Sequence, residues 1–167
     1  MNFILRPWQE DDLDSLVRFA NNYEIAKFMN DHFPHPYTIE SGKGFIKMAT
    51  SETPHNILAI VVEGEAAGGI GIHPGWGIER KNAEMGYWLG EPFWGKGIVT
   101  EAIRQMIDYG FKNWDINRIF ARPFSTNTAS QRVLQKAGFI LEAKLEKTFF
   151  KSGEYFDEMI YAVRRPA

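Results

Sequence analysis

The chain contains no cysteine among its 167 residues. That excludes disulfides, thiolate nucleophiles and the cysteine-based structural zinc sites. No apolar run approaches the ~18 residues of a membrane-spanning helix, so no membrane partner is expected. No long block of like charge occurs either, and the formal net charge is −2. Nonspecific nucleic-acid binding relies on neutralising many phosphates, so no nucleic-acid partner is expected. The four histidines, His32, His35, His55 and His73, have no metal-like spacing, and no metal is expected. The opening MNFILRPW lacks a basic region followed by a long apolar segment, which predicts no secretory signal. These absences together predict a cytoplasmic protein. No repeat, low-complexity tract or linker breaks the chain, so one domain over residues 1–167 is expected.

What is present has the balance of a soluble globular protein, 44% hydrophobic and 24% charged. Residues 2–6 read as a strand, and Leu13, Leu16, Val17 and Ala20 at helical spacing follow Asp11 and Asp12. Helical pieces are expected at 23–29 and 39–50, the second weakened by Gly42 and Gly44. ILAIVVEG (57–64), AAGGIGIH (66–73) and AEMGYWLG (83–90) read as three strands separated by turns. A helix whose apolar face is Ile98, Ala102, Ile103, Met106, Ile107 and Phe111 comes next. A strand at 116–123, a helix at 125–139 stopped by Gly138, and strands at 139–147 and 155–163 joined by KSGE complete the chain. Antiparallel strands followed by a β-loop-α-β unit predict a mixed α/β sheet flanked by helices.

The stretch GEPFWGKG (90–97) nearly satisfies the nucleotide phosphate-loop pattern, but Gly97 stands where a hydroxyl would hold magnesium. Pro92, Phe93 and Trp94 suit a wrapping phosphate loop poorly, and no apolar strand ending in Asp follows to hold the metal. A strand-to-helix loop still aims backbone N–H groups and a helix dipole at an anion. A pyrophosphate bound without magnesium fits better than a magnesium nucleotide; a plain glycine-rich turn is the bland alternative.

AEMGYWLGEPFWGKGIVTEA followed by NRIFARPFSTNTASQRVLQKAGF resembles the GNAT N-acetyltransferases, and within them the branch containing the Rim-type ribosomal-protein N-terminal acetyltransferases. ILRPWQEDDLDSL and FPHPYTIESGKGFI extend the resemblance over almost the whole chain. It implies a largely antiparallel twisted sheet of about seven strands, with a V-shaped split between 83–89 and 117–122. It implies acetyl-CoA as co-substrate: Trp94, Gly95, Lys96, Gly97, Ile98 and Val99 around the pyrophosphate, and the backbone of Trp88 and Leu89 along the pantetheine arm. Pro92 stands where the family loop usually has Gln or Arg. Asn127 and Ser130 match an N-x-x-S element, with Asn127 on the pantetheine arm and Ser130 near the sulfur. Asn127 is equally placed to cap a helix, and Ser130 to face solvent.

Acetyl transfer to an amine needs a base and a proton for the leaving thiolate. Glu84 is the candidate base, acting through water; the alternative is a solvated strand carboxylate that only orients an ammonium. Strict strand alternation would group it with Gly86 and Trp88. Glu101 reads as structural. No tyrosine occupies 125–138 to serve as the family's usual acid, which brings Ser130 or water into that role. Phe28, Phe33, Tyr37 and Trp76 are candidate lining for an acceptor pocket, or core beneath a long loop. The acceptor is expected to be a primary amine, a protein N-terminus or a small molecule, and a homodimer is left open. A CoA-binding interaction module without catalysis is the rival reading.

Overall fold

The computed structural model describes all residues 1–167. Seven strands form one sheet in the order β1-β2-β3-β4-β5-β7-β6. They are β1 (Phe3–Pro7), β2 (Ile57–Val62), β3 (Glu65–Pro74), β4 (Asn82–Leu89), β5 (Arg118–Ala121), β6 (Ile140–Lys151) and β7 (Glu154–Arg164). The helices are α1 (Leu13–Ala20), α2 (Tyr23–Ala26), α3 (Ile39–Ala49), α4 (Ile98–Asn113) and α5 (Thr128–Lys136). No helix is long and apolar enough to cross a membrane. The chain forms two compact units, residues 1–71 with 87–102 and residues 72–86 with 103–167; β3, β4 and α4 contribute to both.

In the first unit, β2 is buried along its whole length, as its β-branched run requires of a strand covered on both faces. It pairs antiparallel with β1 from Phe3↔Val62 to Pro7↔Leu58, and with β3 on its other side. The glycines of AAGGIGI let β4 come close. A Cβ at Gly68 would lie 2.5 Å from the Trp88 carbonyl oxygen, and one at Gly69 would lie 3.0 Å from the Trp88 indole nitrogen. The Asp12 carboxylate locks the entry to α1: it accepts from the two terminal nitrogens of the Arg6 guanidinium, Nη1 and Nη2, at 2.7 and 2.8 Å and from the Gln9 N–H at 2.9 Å. Thr38 and Ser41 form a capping box that starts α3. The helix expected over 39–50 persists through both glycines; Gly42 is buried beside Leu13, and Gly44 is exposed.

In the second unit, β5 pairs parallel with β4 from Asn82↔Arg118 to Glu84↔Phe120, and antiparallel with β7. The parallel ladder ends at Glu84, although β4 runs on to Leu89. β6 and β7 form a long hairpin closed by Ser152 and Gly153, both with positive φ, the backbone a tight two-residue hairpin turn demands. The strand expected over 116–123 is confined to 118–121, because the Asn117 N–H bonds Lys81 and Pro123 has no N–H to give. The helix expected from 125 starts at Thr128. Phe124 bridges Glu158 and the Ser125 N–H donates to the Asp157 carbonyl, which holds that stretch against β7 instead.

Candidate active site

The glycine-rich loop lies in the first unit. Leu89 ends β4, and the Gly90 N–H donates to the Ala67 carbonyl at 2.7 Å, pinning the strand end. A short 3-10 turn at Glu91–Phe93 follows, with proline in its first turn. Phe93 is buried against Phe19, ring centroids 5.6 Å apart, and the Lys96 ammonium stands 5.6 Å from the Phe93 centroid. The Trp94 indole N–H donates to the Leu89 carbonyl at 2.7 Å. The proline and aromatics that argued against a nucleotide loop therefore anchor this one.

Gly95 and Gly97 have φ of 72° and 78°, and space is open where their Cβ atoms would be. The first helical bond of α4 runs from the Glu101 N–H to the Gly97 carbonyl at 3.2 Å. The N–H groups of Ile98, Val99 and Thr100 precede that ladder, at the positive end of a 16-residue helix. The Ile98 side chain is buried, so its backbone is what the loop presents. Trp94 through Gly97 are exposed. The loop thus presents exposed backbone at the start of α4. The Trp88 ring is buried in the core and stacks edge-on to Phe33 at 5.7 Å.

The proposed acceptor residues do not share one environment. Phe33 packs against Tyr37 with centroids 5.2 Å apart, and Tyr37 is buried. Burial pushes the Tyr37 hydroxyl up to about 12, so it stays protonated at neutral pH. Phe28 is half-buried beside the Lys27 ammonium. Trp76 belongs to the second unit and is 85% exposed.

The candidate acid and base lie in the second unit. Asn127 caps α5: its Oδ1 accepts from the Ser130 N–H at 3.2 Å. The cap uses Oδ1 alone, so it is compatible with a ligand contact from the side-chain N–H groups. Ser130 is half-buried in the first turn. Glu84 is half-buried and held by Arg122, whose Nε and Nη2 donate to its two oxygens at 3.0 and 3.2 Å. Arg122 also lies 3.7 Å from the Glu158 carboxylate, which is 5% exposed. The Glu84 hydrogen bonds, opposed by burial, hold the Arg122 guanidinium above its ordinary value. The sequence reading missed Arg122 and Glu158. A signal existed in YFDEMIY: adjacent strand residues face opposite sides, so one of Asp157 and Glu158 must turn inward.

Residues 2–140 match the acetyltransferase (GNAT) domain family model. The chain belongs to that family, and its relatives are N-acetyltransferases. It is 31% identical over 167 residues to the uncharacterized N-acetyltransferase p20 of Bacillus licheniformis, covering 95% of this chain and 90% of the relative. It is 34% identical over 83 residues to the ribosomal-protein-serine acetyltransferase of Escherichia coli, half of this chain and 46% of that one. A crystal structure of the microcin C7 self-immunity acetyltransferase MccE, in complex with acetyl-CoA and AMP, superposes with a TM-score of 0.80 at 28% identity. That match covers 98% of this chain and 92% of the other. The seven-strand, mostly antiparallel sheet is thus the GNAT fold, as its sequence resemblance implied.

Proposed function

We propose that the chain transfers an acetyl group from acetyl-CoA directly to a primary amine, with residues 1–167 working as one domain in the cytoplasm. The observation that carries this is the pair of left-handed glycines opening onto the start of α4. A backbone cradle of this kind takes a pyrophosphate without a metal. The MccE complex, which holds acetyl-CoA, supports the choice of donor. When bound, acetyl-CoA supplies an activated acyl carbon and a leaving thiolate.

The N–H groups of Ile98 and Val99, with the Gly95–Gly97 backbone, hold the diphosphate. Lys96 adds positive charge at the rim. The backbone of Trp88 and Leu89 and the Asn127 side-chain amide orient the pantetheine arm. Glu84 takes one proton of the acceptor ammonium through water, and the second nitrogen proton, released as the amide forms, passes through the Ser130 hydroxyl, or water, to the departing sulfur. The C–N bond forms as the C–S bond breaks.

The acceptor best suited to this base is an α-amine. Freeing one of pKa about 7.7–8.0 at pH 7 costs about 1–1.4 kcal/mol, against roughly 4–5 kcal/mol for a lysine-type amine near 10.4. A carboxylate acting through water is suited to the smaller task. The ribosomal-protein-serine acetyltransferase among the relatives supports a protein acceptor.

Acetyl-CoA is expected to raise the melting temperature, and magnesium ATP is not. Turnover is measured against N-terminal peptides and small amines with mass detection of product. Gly97→Asp should abolish acetyl-CoA binding by placing a charged side chain in the cradle. No stabilisation by any CoA form overturns the reading, and CoA binding without turnover on any amine favours the non-catalytic module.

A further inference from the structure

We propose that Arg122 and the buried Glu158 form a positioning device for Glu84, fixing where its carboxylate points and how readily it takes a proton. The proposal rests on Glu84 being the base. Arg122 meets Glu84 in a side-on, two-bond arrangement, Nε to one oxygen and Nη2 to the other. Two parallel bonds fix the plane of a carboxylate as one bond cannot. The opposite edge of the guanidinium, at Nη1, lies 3.7 Å from Glu158 Oε2.

That oxygen is buried and has no hydrogen-bond partner. A buried carboxylate oxygen left without a hydrogen bond is costly, and the Arg122 charge at 3.7 Å offsets that cost. Glu158 is fixed by its backbone: β7 pairs it with Leu145, and it bridges Phe124. The chain Glu84–Arg122–Glu158 thus ties the β4 carboxylate to β7. The other titratable group facing Glu84 is His73 on β3. Desolvation lowers its imidazole from the ordinary value, with the Glu84 charge pulling the other way.

The test is the pH profile of kcat/KM, with kcat and KM for acetyl-CoA measured separately, in four variants. Arg122→Gln removes the positive charge that faces Glu84, so the acidic limb moves to higher pH. Its kcat falls roughly 10–100-fold, and KM for acetyl-CoA stays within about twofold. Arg122→Lys, which keeps the charge but not the fork, restores the limb and only part of kcat. Glu158→Gln removes a negative charge behind Arg122, so its limb moves the opposite way, to lower pH, while kcat falls. Arg118→Gln breaks a comparable pair with Glu142 and leaves the limb in place.

Opposite signs from Arg122→Gln and Glu158→Gln cannot come from a general loosening of the sheet. A folded Arg122→Gln enzyme with the wild-type limb, or an Arg118→Gln limb that moves equally, overturns the proposal while leaving acetyl transfer standing. A wild-type protein that acetylates no amine removes the functional reading itself, and this device with it.

Discussion

The indole N–H of Trp94 reaches back to the carbonyl of Leu89 at 2.7 Å, closing the turn between the last residue of β4 and the glycine-rich loop. The bond links the edge expected to hold the pantetheine arm to the loop expected to hold the diphosphate. Trp94→Phe keeps the ring but not the donor. A hydrogen bond of this kind contributes about 0.5–1.5 kcal/mol net. Acetyl-CoA affinity should therefore fall about 3–10-fold by titration calorimetry, with kcat at saturation nearly unchanged. Unaltered affinity would mean that Phe93 alone holds the loop.

Two glycines give opposite stability predictions. Gly44 sits on the exposed side of α3, and a methyl group there would have nothing within 4 Å of it. Gly44→Ala should stabilise by about 0.5–1 kcal/mol, the helix-propensity difference. Gly68 faces the Trp88 backbone oxygen, 2.5 Å from where a Cβ would be. Backbone cannot step aside as a flexible side chain can, so Gly68→Ala should destabilise by about 1–3 kcal/mol. Urea unfolding of both variants checks the pair, and equal signs would show that local sheet geometry differs from that described.

Much of this was legible in the sequence, for identifiable reasons. Helical spacing, β-branched runs and turn residues marked the strands and helices to within a few residues, and the glycine-rich loop marked the turn at Gly95 and Gly97, whose positive φ favours glycine. The legible features were local. Arg122 and Glu158 were not: their meaning depends on β5 pairing parallel to β4 and antiparallel to β7, a non-local register. Burial of Trp88 was equally non-local: alternation along β4 placed it with the half-buried Glu84, and the residues that bury it, Trp8 and Phe33 among them, come from distant parts of the chain. Phe33 and Tyr37 read equally as pocket or core, and Tyr37 is packed as core.

Tyr37 should be conspicuous in alkaline titration. Burial raises its hydroxyl to about 12, above the ordinary value near 10. The native state thus favours the protonated form, a contribution present below about pH 10 and lost as pH rises toward 12. Ultraviolet titration at the tyrosinate band should show a late-ionising group that is absent in Tyr37→Phe. Normal titration of every tyrosine in the folded protein would contradict its burial.

The Asp12–Arg6 pair sets an acid-side limit on stability. Burial pushes the Asp12 carboxyl up, but hydrogen bonds from Arg6 and the Gln9 backbone, with the Arg6 charge, outweigh it and hold it below the ordinary value. A carboxylate lowered in the folded state stabilises at every pH above its unfolded value, about 3.9, and loses that contribution as pH falls through the folded value. Asp12→Asn leaves the half-buried Arg6 facing a neutral amide at the end of β1. The Asp12 side chain is 8% exposed and Arg6 23%, so solvent screens the pair only in part. At pH 7 the variant should be about 2–3 kcal/mol less stable than wild type. The gap should hold between pH 5 and 8, on the order of the usual stability plateau, then narrow below about pH 4 as wild-type Asp12 takes up its proton. Denaturant unfolding of both proteins across pH measures it. A gap that stays constant down to about pH 2 would mean that the cost comes from packing at the α1 entry rather than from charge.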